Sequence, residues 1–101
     1  MKAIINIINQ LFEIEKKTGA LPSVARNLDR IKNELEEMGY SWHNPLHEKY
    51  ALTRTDCEAS ITGMFKDGMV ITEVIKPIIH SNEVSGARII QKAIVVVAPS
   101  L

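Results

Sequence analysis

The chain has 101 residues, 46% of them hydrophobic but only 5% aromatic, which suits one compact domain, or a helical arm carrying a small β domain, with a core of Ile, Val, Leu and Met. So small a chain has a thin stability margin alone, which favours self-association. Basic and acidic residues number 12 each, and residues 1–40 and 41–101 both hold six of each sign, so no basic stripe points to nucleic acid or an anionic membrane.

The N-terminal run "MKAIINIINQLFEIEKK" is broken by Asn6, Asn9 and Gln10 and ends in charge, unlike a signal peptide. No stretch approaches the ~18 apolar residues of a membrane span. A soluble, cytoplasmic protein is expected. Residues 3–17 predict a helix, with Ile4, Ile7, Ile8, Leu11, Phe12 and Ile14 at helical spacing and Ile5 widening the stripe. Thr18-Gly19 ends it, and Leu21-Pro22 turns the chain.

Residues 23–38 predict a second helix. Val24, Leu28, Ile31, Leu35 and Met38 step by four, three, four and three, a heptad seam. The other faces are charged, with Arg30–Glu34 and Lys32–Glu36 at i,i+4 spacing. Gly39 suits the left-handed position after a helix, from which Tyr40 folds back on Leu35. The broad apolar face of the hairpin exceeds what one short partner helix covers. Four helices from two chains would cover it, so Ile4, Ile8, Leu11, Val24, Leu28, Ile31 and Leu35 are the expected dimerisation residues.

Beyond residue 48 the period changes to two. Residues 49–55 and 57–64 alternate, with Glu58, Ser60 and Thr62 on one side and Cys57, Ala59 and Ile61 on the other. Lys66-Asp67-Gly68 is a hairpin signal. Residues 69–76 form a strand, and Pro77 restricts the next residues to an edge or a bulge. Residues 78–80 are strand-like, and 81–86 form a loop. Residues 87–98 form the longest strand, whose unbroken Ile94–Val97 run predicts burial on both faces. The expected architecture is α+β: a helical hairpin over 1–40, a linker corner over 41–48 and a small, mostly antiparallel β domain over 49–101.

His43 and His47 have the spacing of a helical metal pair, but Pro45 between them breaks the helix that this needs. His80 and Asp56 would be the further candidates for a metal-dependent enzyme. The alternative is that the polar groups of "HNPLHE" pin a corner by bonding loop backbone, and this is the expected role of Pro45, His47 and Glu48. Cys57, the lone cysteine, sits among apolar neighbours as a buried structural thiol, and no disulfide framework is available. No glycine-rich phosphate loop is present, so no nucleotide, cofactor or metal is expected. Trp42 is expected to pack across the corner. A binding protein without enzymatic activity is favoured.

Taken in order, these features resemble GrpE-type nucleotide exchange factors, which serve DnaK-type chaperones. "EEMGYSWHNPLHEKY" (36–50) is similar to that family's linker, with Pro45, Leu46, His47 and Glu48 at matching places. "ITEVIK" (71–76) is similar to a family strand, and "ARIIQKAIVVVA" (87–98) to its closing strand, with Arg88, Ala93, Val95 and Val97 on the pattern. The sequence departs from the pattern in lacking a long N-terminal coiled-coil helix. It also has Pro77-Ile78 for Gly-Tyr, Gln91-Lys92 for an Arg and a small residue, and its own loop over 80–86. The resemblance implies a homodimer through a four-helix bundle and a β domain that binds the nucleotide-binding domain of a DnaK-type chaperone and promotes ADP release. Arg88 would be the first contact, followed by Val97 and by Val74, Lys76 and Ile78. The alternative is the same fold reused as a non-catalytic adaptor or an immunity-type protein.

Overall fold

The computed structural model describes residues 2–18, 21–64 and 68–100. The chain is α+β, with two helices followed by a mostly antiparallel set of strands. Helix α1 spans Lys2–Thr18, with Lys16 and Lys17 in its last turn, where cations complement the helix dipole. Helix α2 spans Pro22–Glu37 and starts on proline, whose missing N–H costs nothing there. Gly19, expected to end the first helix, lies outside the described residues.

Gly39 has φ 93°, the left-handed conformation its place after α2 predicts. The Asn82 N–H donates to its carbonyl at 2.7 Å, and Tyr40 packs beside Leu35. The helix end therefore feeds directly into β1 (Tyr40–His43). The remaining strands are β2 (Lys49–Tyr50), β3 (Cys57–Ile61), β4 (Met69–Lys76), β5 (Ile78–Glu83), β6 (Gly86–Gln91) and β7 (Ala93–Pro99). One sheet has the order β1-β5-β6, and the other β2-β4-β7-β3.

After crossing between these sheets from β1 to β2, the chain crosses back at Pro77 and again at Lys92. Proline cannot donate to a ladder, so a ladder ends there and a new one begins in the other sheet. Buried Pro77 is thus an inter-sheet corner rather than an edge position. The last two crossings are tied together, because Gln91 Nε2 donates to the Pro77 carbonyl at 2.9 Å.

Several strand expectations are corrected. The strand expected over 49–55 is only β2, and the chain turns after Tyr50. The loop expected over 81–86 is a hairpin, with β5 running to Glu83 and β6 starting at Gly86. The single strand expected over 87–98 is two strands in different sheets. Within β7, Val95 and Val97 are buried while Ile94 and Val96 are half-buried, so the apolar run has one dry face rather than two. Residues 41–43, expected in a linker, belong to β1. The Lys66-Asp67 turn lies outside the described residues. Strand β3 pairs with β7 in parallel, and β4 lies on β7's other side.

The core sits on the inner face of the four-stranded sheet. Met69, Ile71, Val74, Ala93, Val95 and Val97 pack with Cys57, Ile78 and the Phe12 ring of α1. A second cluster joins Ile8 and Leu35 to Ile79 of β5, with Ile4, Leu11 and Tyr40 around it. Polar bonds fasten α1 to the strands. Asn9 and Gln91 exchange amide bonds at 3.0 and 2.8 Å, and Lys16 Nζ donates to the Val74 carbonyl at 2.9 Å. Lys32 pairs with Glu15 of α1 and lies 5.4 Å from the Trp42 ring centroid, rather than forming its expected pair with Glu36.

Candidate partner-binding surface

The joint between β1 and β2 is built from backbone bonds. The Leu46 N–H donates to Asn44 Oδ1 at 3.1 Å, which makes a tight Asx turn around buried Pro45. The Glu48 N–H donates to the Pro45 carbonyl at 3.1 Å. The His47 N–H donates to the Ile71 carbonyl, and the Ile71 N–H to the Glu48 carbonyl, both at 2.9 Å. His47 takes φ 69°, an uncommon conformation for a residue with a Cβ. The corner is thus welded to β4, but by the backbones of His47 and Glu48 rather than by the His47 ring.

Glu48 acts through its side chain, and its main partner was not legible as one. Arg54 Nη2 donates to Glu48 Oε1 at 2.7 Å, and His43 Nε2 contacts the other oxygen. Arg54 also forks onto Asp56, with Nε at 2.6 Å and Nη2 at 3.3 Å, while its Nη1 donates to the Lys49 carbonyl at 3.0 Å. One guanidinium therefore gathers the corner, β2 and the start of β3. The only sequence signal was an Arg two residues before an acid, in a segment whose alternation favoured a strand.

Burial alone would raise the Glu48 carboxyl, but the hydrogen bonds from Arg54 and His43 outweigh it and hold it below the ordinary carboxylate range. The Arg54 hydrogen bond depresses Asp56 likewise, against the opposing effect of burial. Arg54 itself is raised, first by Asp56. Burial pushes the Cys57 thiol up to about 11, so it stays protonated and unreactive at neutral pH.

Arg88 lies on β6, an edge strand of its sheet, and its side chain is 59% exposed. It pairs along the β5–β6 hairpin with Glu83 at 3.0 Å. The hairpin turn carries fully exposed Val84. Of the other expected contact residues, Lys76 is exposed. Val74, Ile78 and Val97 are 3%, 1% and 0% exposed. That corrects their expected role: alternation along β4 and β7 points Val74 and Val97 into the core, Ile78 is buried with Pro77 and Ile79 at the inter-sheet corner, and none of the three leaves surface for a partner.

Of the expected dimerisation residues, Ile8, Leu28 and Leu35 are buried within the single chain, and Ile4, Leu11 and Val24 are half-buried. Ile31 is exposed, as are Ile7 and Ile14, which border an apolar groove with Leu11 on α1. His43, His47 and His80 do not converge, and among the described residues no group of three or more His, Cys, Asp or Glu could hold a metal ion. No helix among them is long and apolar enough to cross a membrane.

No protein-family model, curated protein or solved structure matches this chain.

Proposed function

We propose that this chain is a GrpE-like co-chaperone that binds the nucleotide-binding domain of a DnaK-type chaperone and promotes ADP release. The observation that carries this reading is the joint at 45–48. Pro45, Leu46, His47 and Glu48, which carry the linker part of the family resemblance, form one backbone-bonded corner between β1, which continues from the helical hairpin, and β2 of the other sheet. Exposed Arg88 on an edge strand adds a guanidinium free to pair bidentately with a partner carboxylate once it leaves Glu83. Exchange needs no chemistry from this chain. A partner that binds the open state of a nucleotide cleft more tightly shifts the cleft open by that difference in affinity.

The proposed assembly is a homodimer through the exposed apolar side of the hairpin, where Ile7, Ile14 and Ile31 lie. Ile7→Asp with Ile14→Asp should lower the mass that light scattering finds for the wild type, with an unchanged far-UV circular dichroism spectrum. The decisive measurement is the release rate of labelled ADP from a DnaK-type protein. The wild-type chain should accelerate it. Arg88→Ala should weaken binding by about 2 kcal/mol, the scale of an interface hot spot, and Arg88→Lys should not fully restore it. No acceleration by the wild type overturns the reading.

A second reading is a GrpE-like fold serving as a non-catalytic adaptor or immunity-type protein. The burial of Val74, Ile78 and Val97 favours it, since three expected chaperone contacts lie in the core. Recovery of a different protein, with no DnaK-type chaperone, in a pull-down from native cytosol would select it.

A further inference from the structure

The outer face of the four-stranded sheet has a charge pattern of which the preceding roles use only Lys76. Residues paired across a ladder point to the same side, and neighbours along a strand to opposite sides. With Val95 and Val97 turned into the core, Ile94 and Val96 face outward, where they are half-buried. In the row of Ile94, Lys76 of β4 stands on one flank and Glu58 of β3 on the other. In the row of Val96, Glu73 and Ser60 occupy the same two flanks. All four flanking residues are exposed, and among the described residues neither Lys76, Glu58 nor Glu73 takes part in an ion pair. Helix α1 lies on the opposite, inner face, where Phe12 enters the core.

We propose that this outer face pairs with the same face of a second copy of the chain. The argument is charge complementarity under two-fold symmetry. A two-fold axis lying between two stacked sheets and running along β7 keeps each row at its own level and exchanges the flanks. It therefore places Lys76 of one copy over Glu58 of the other, and Glu58 over Lys76. It brings Glu73 over a Ser60 hydroxyl in both directions, and stacks Ile94 and Val96 on their own copies. The contact is isologous and closes on itself. The offset of about 30° at which twisted sheets pack face to face stays within reach of a lysine and a glutamate side chain.

This contact is additional to the proposed hairpin dimer, which lies on the other side of the sheet, so the two are separable by experiment. Sedimentation equilibrium of the full chain over a range of concentrations compares wild type, Glu58→Lys, Lys76→Glu and the double swap. Either single swap sets like charges against each other and should reduce the wild-type mass to that of a monomer, or of the hairpin dimer where that contact also holds. The double swap should restore it. Glu58 and Lys76 are both exposed, so far-UV circular dichroism spectra of the four proteins should coincide and exclude unfolding as the cause. The hairpin reading is judged instead by the wild-type mass: larger than a dimer if both contacts hold, a dimer sensitive to the swaps if only the sheet contact holds. Equal masses for all four proteins overturn the sheet pairing. Equal masses together with lost ADP-release activity in the single swaps also overturn it, and would assign the face to the chaperone domain.

Discussion

The two sheets are made from adjoining pieces of the same strand-forming sequence, yet they do opposite things. The four-stranded sheet carries the core: its inner face holds Met69, Ile71, Val74, Val95 and Val97 under the Phe12 ring. The three-stranded sheet buries Ile78 and Ile79 at the start of β5 and then runs outward, so that β6 is exposed from Gly86 to Ile89. The difference lies in what covers each strand. β7 is flanked by a strand on both sides and capped by a helix residue, whereas β6 has one neighbour and a turn. Buried apolar contact is concentrated in the four-stranded sheet, and most of β6 in the other sheet is left exposed.

Phe12→Ala tests this division most severely. It removes the one aromatic ring that α1 sends into the sheet core, and should cost about 3–5 kcal/mol, the usual range for a buried Phe. Ile89→Ala on the outward sheet should stay within about 0.5 kcal/mol, as surface changes do. Equal losses in denaturant unfolding would show that the two sheets share one core after all.

Arg54→Ala should have the next largest effect, about 1–3 kcal/mol, because it leaves two part-buried carboxylates without their donor. It also carries a pH signature. Glu48 and Asp56 are depressed in the folded state, so the stability they contribute is fully present above the ordinary carboxylate values. It is lost as pH falls from those values through the lower folded ones. The wild-type melting temperature should therefore drop on acidification below about pH 4.5, and Arg54→Ala should flatten that limb. An unchanged acid limb in the variant would mean that other carboxylates carry it.

Gly86→Ala probes the hairpin turn. Gly86 has φ 117°, and an added Cβ meets nothing within 4 Å, so the cost is backbone strain alone. A loss of about 1–2 kcal/mol is expected, the scale for a side chain forced into a left-handed conformation. The smallest effect is expected for Arg88→Ala, whose stability should move by less than about 0.5 kcal/mol, since exposed ion pairs contribute little. A larger drop in melting temperature would make the Glu83–Arg88 pair part of the hairpin's stability rather than part of a recognition surface.

What the sequence determined by itself was local. Helical spacing placed both helices to within a residue or two, Gly39 marked the end of α2, and alternation put Cys57 on the buried side of β3. These outcomes rest on backbone geometry that a few neighbouring residues dictate. The Pro-Leu-His-Glu stretch was legible as a corner because a proline there must stop one element before the next begins, but the expected joint between the helices and the β domain is one between β1 and β2. What only the tertiary structure decided was which face meets which neighbour. The sequence over 87–98 has strand propensity throughout, and no local signal says that the chain changes sheets at Lys92. That break is set by the Pro77 crossing beside it and the Gln91 side chain that bridges them. Val97 matched a contact pattern yet lies in the core, because its direction depends on the register of β7 between β4 and β3. Arg54 became the centre of the corner only once folding brought Glu48, Lys49 and Asp56 around it, since a guanidinium in a sequence has no partner until packing supplies one.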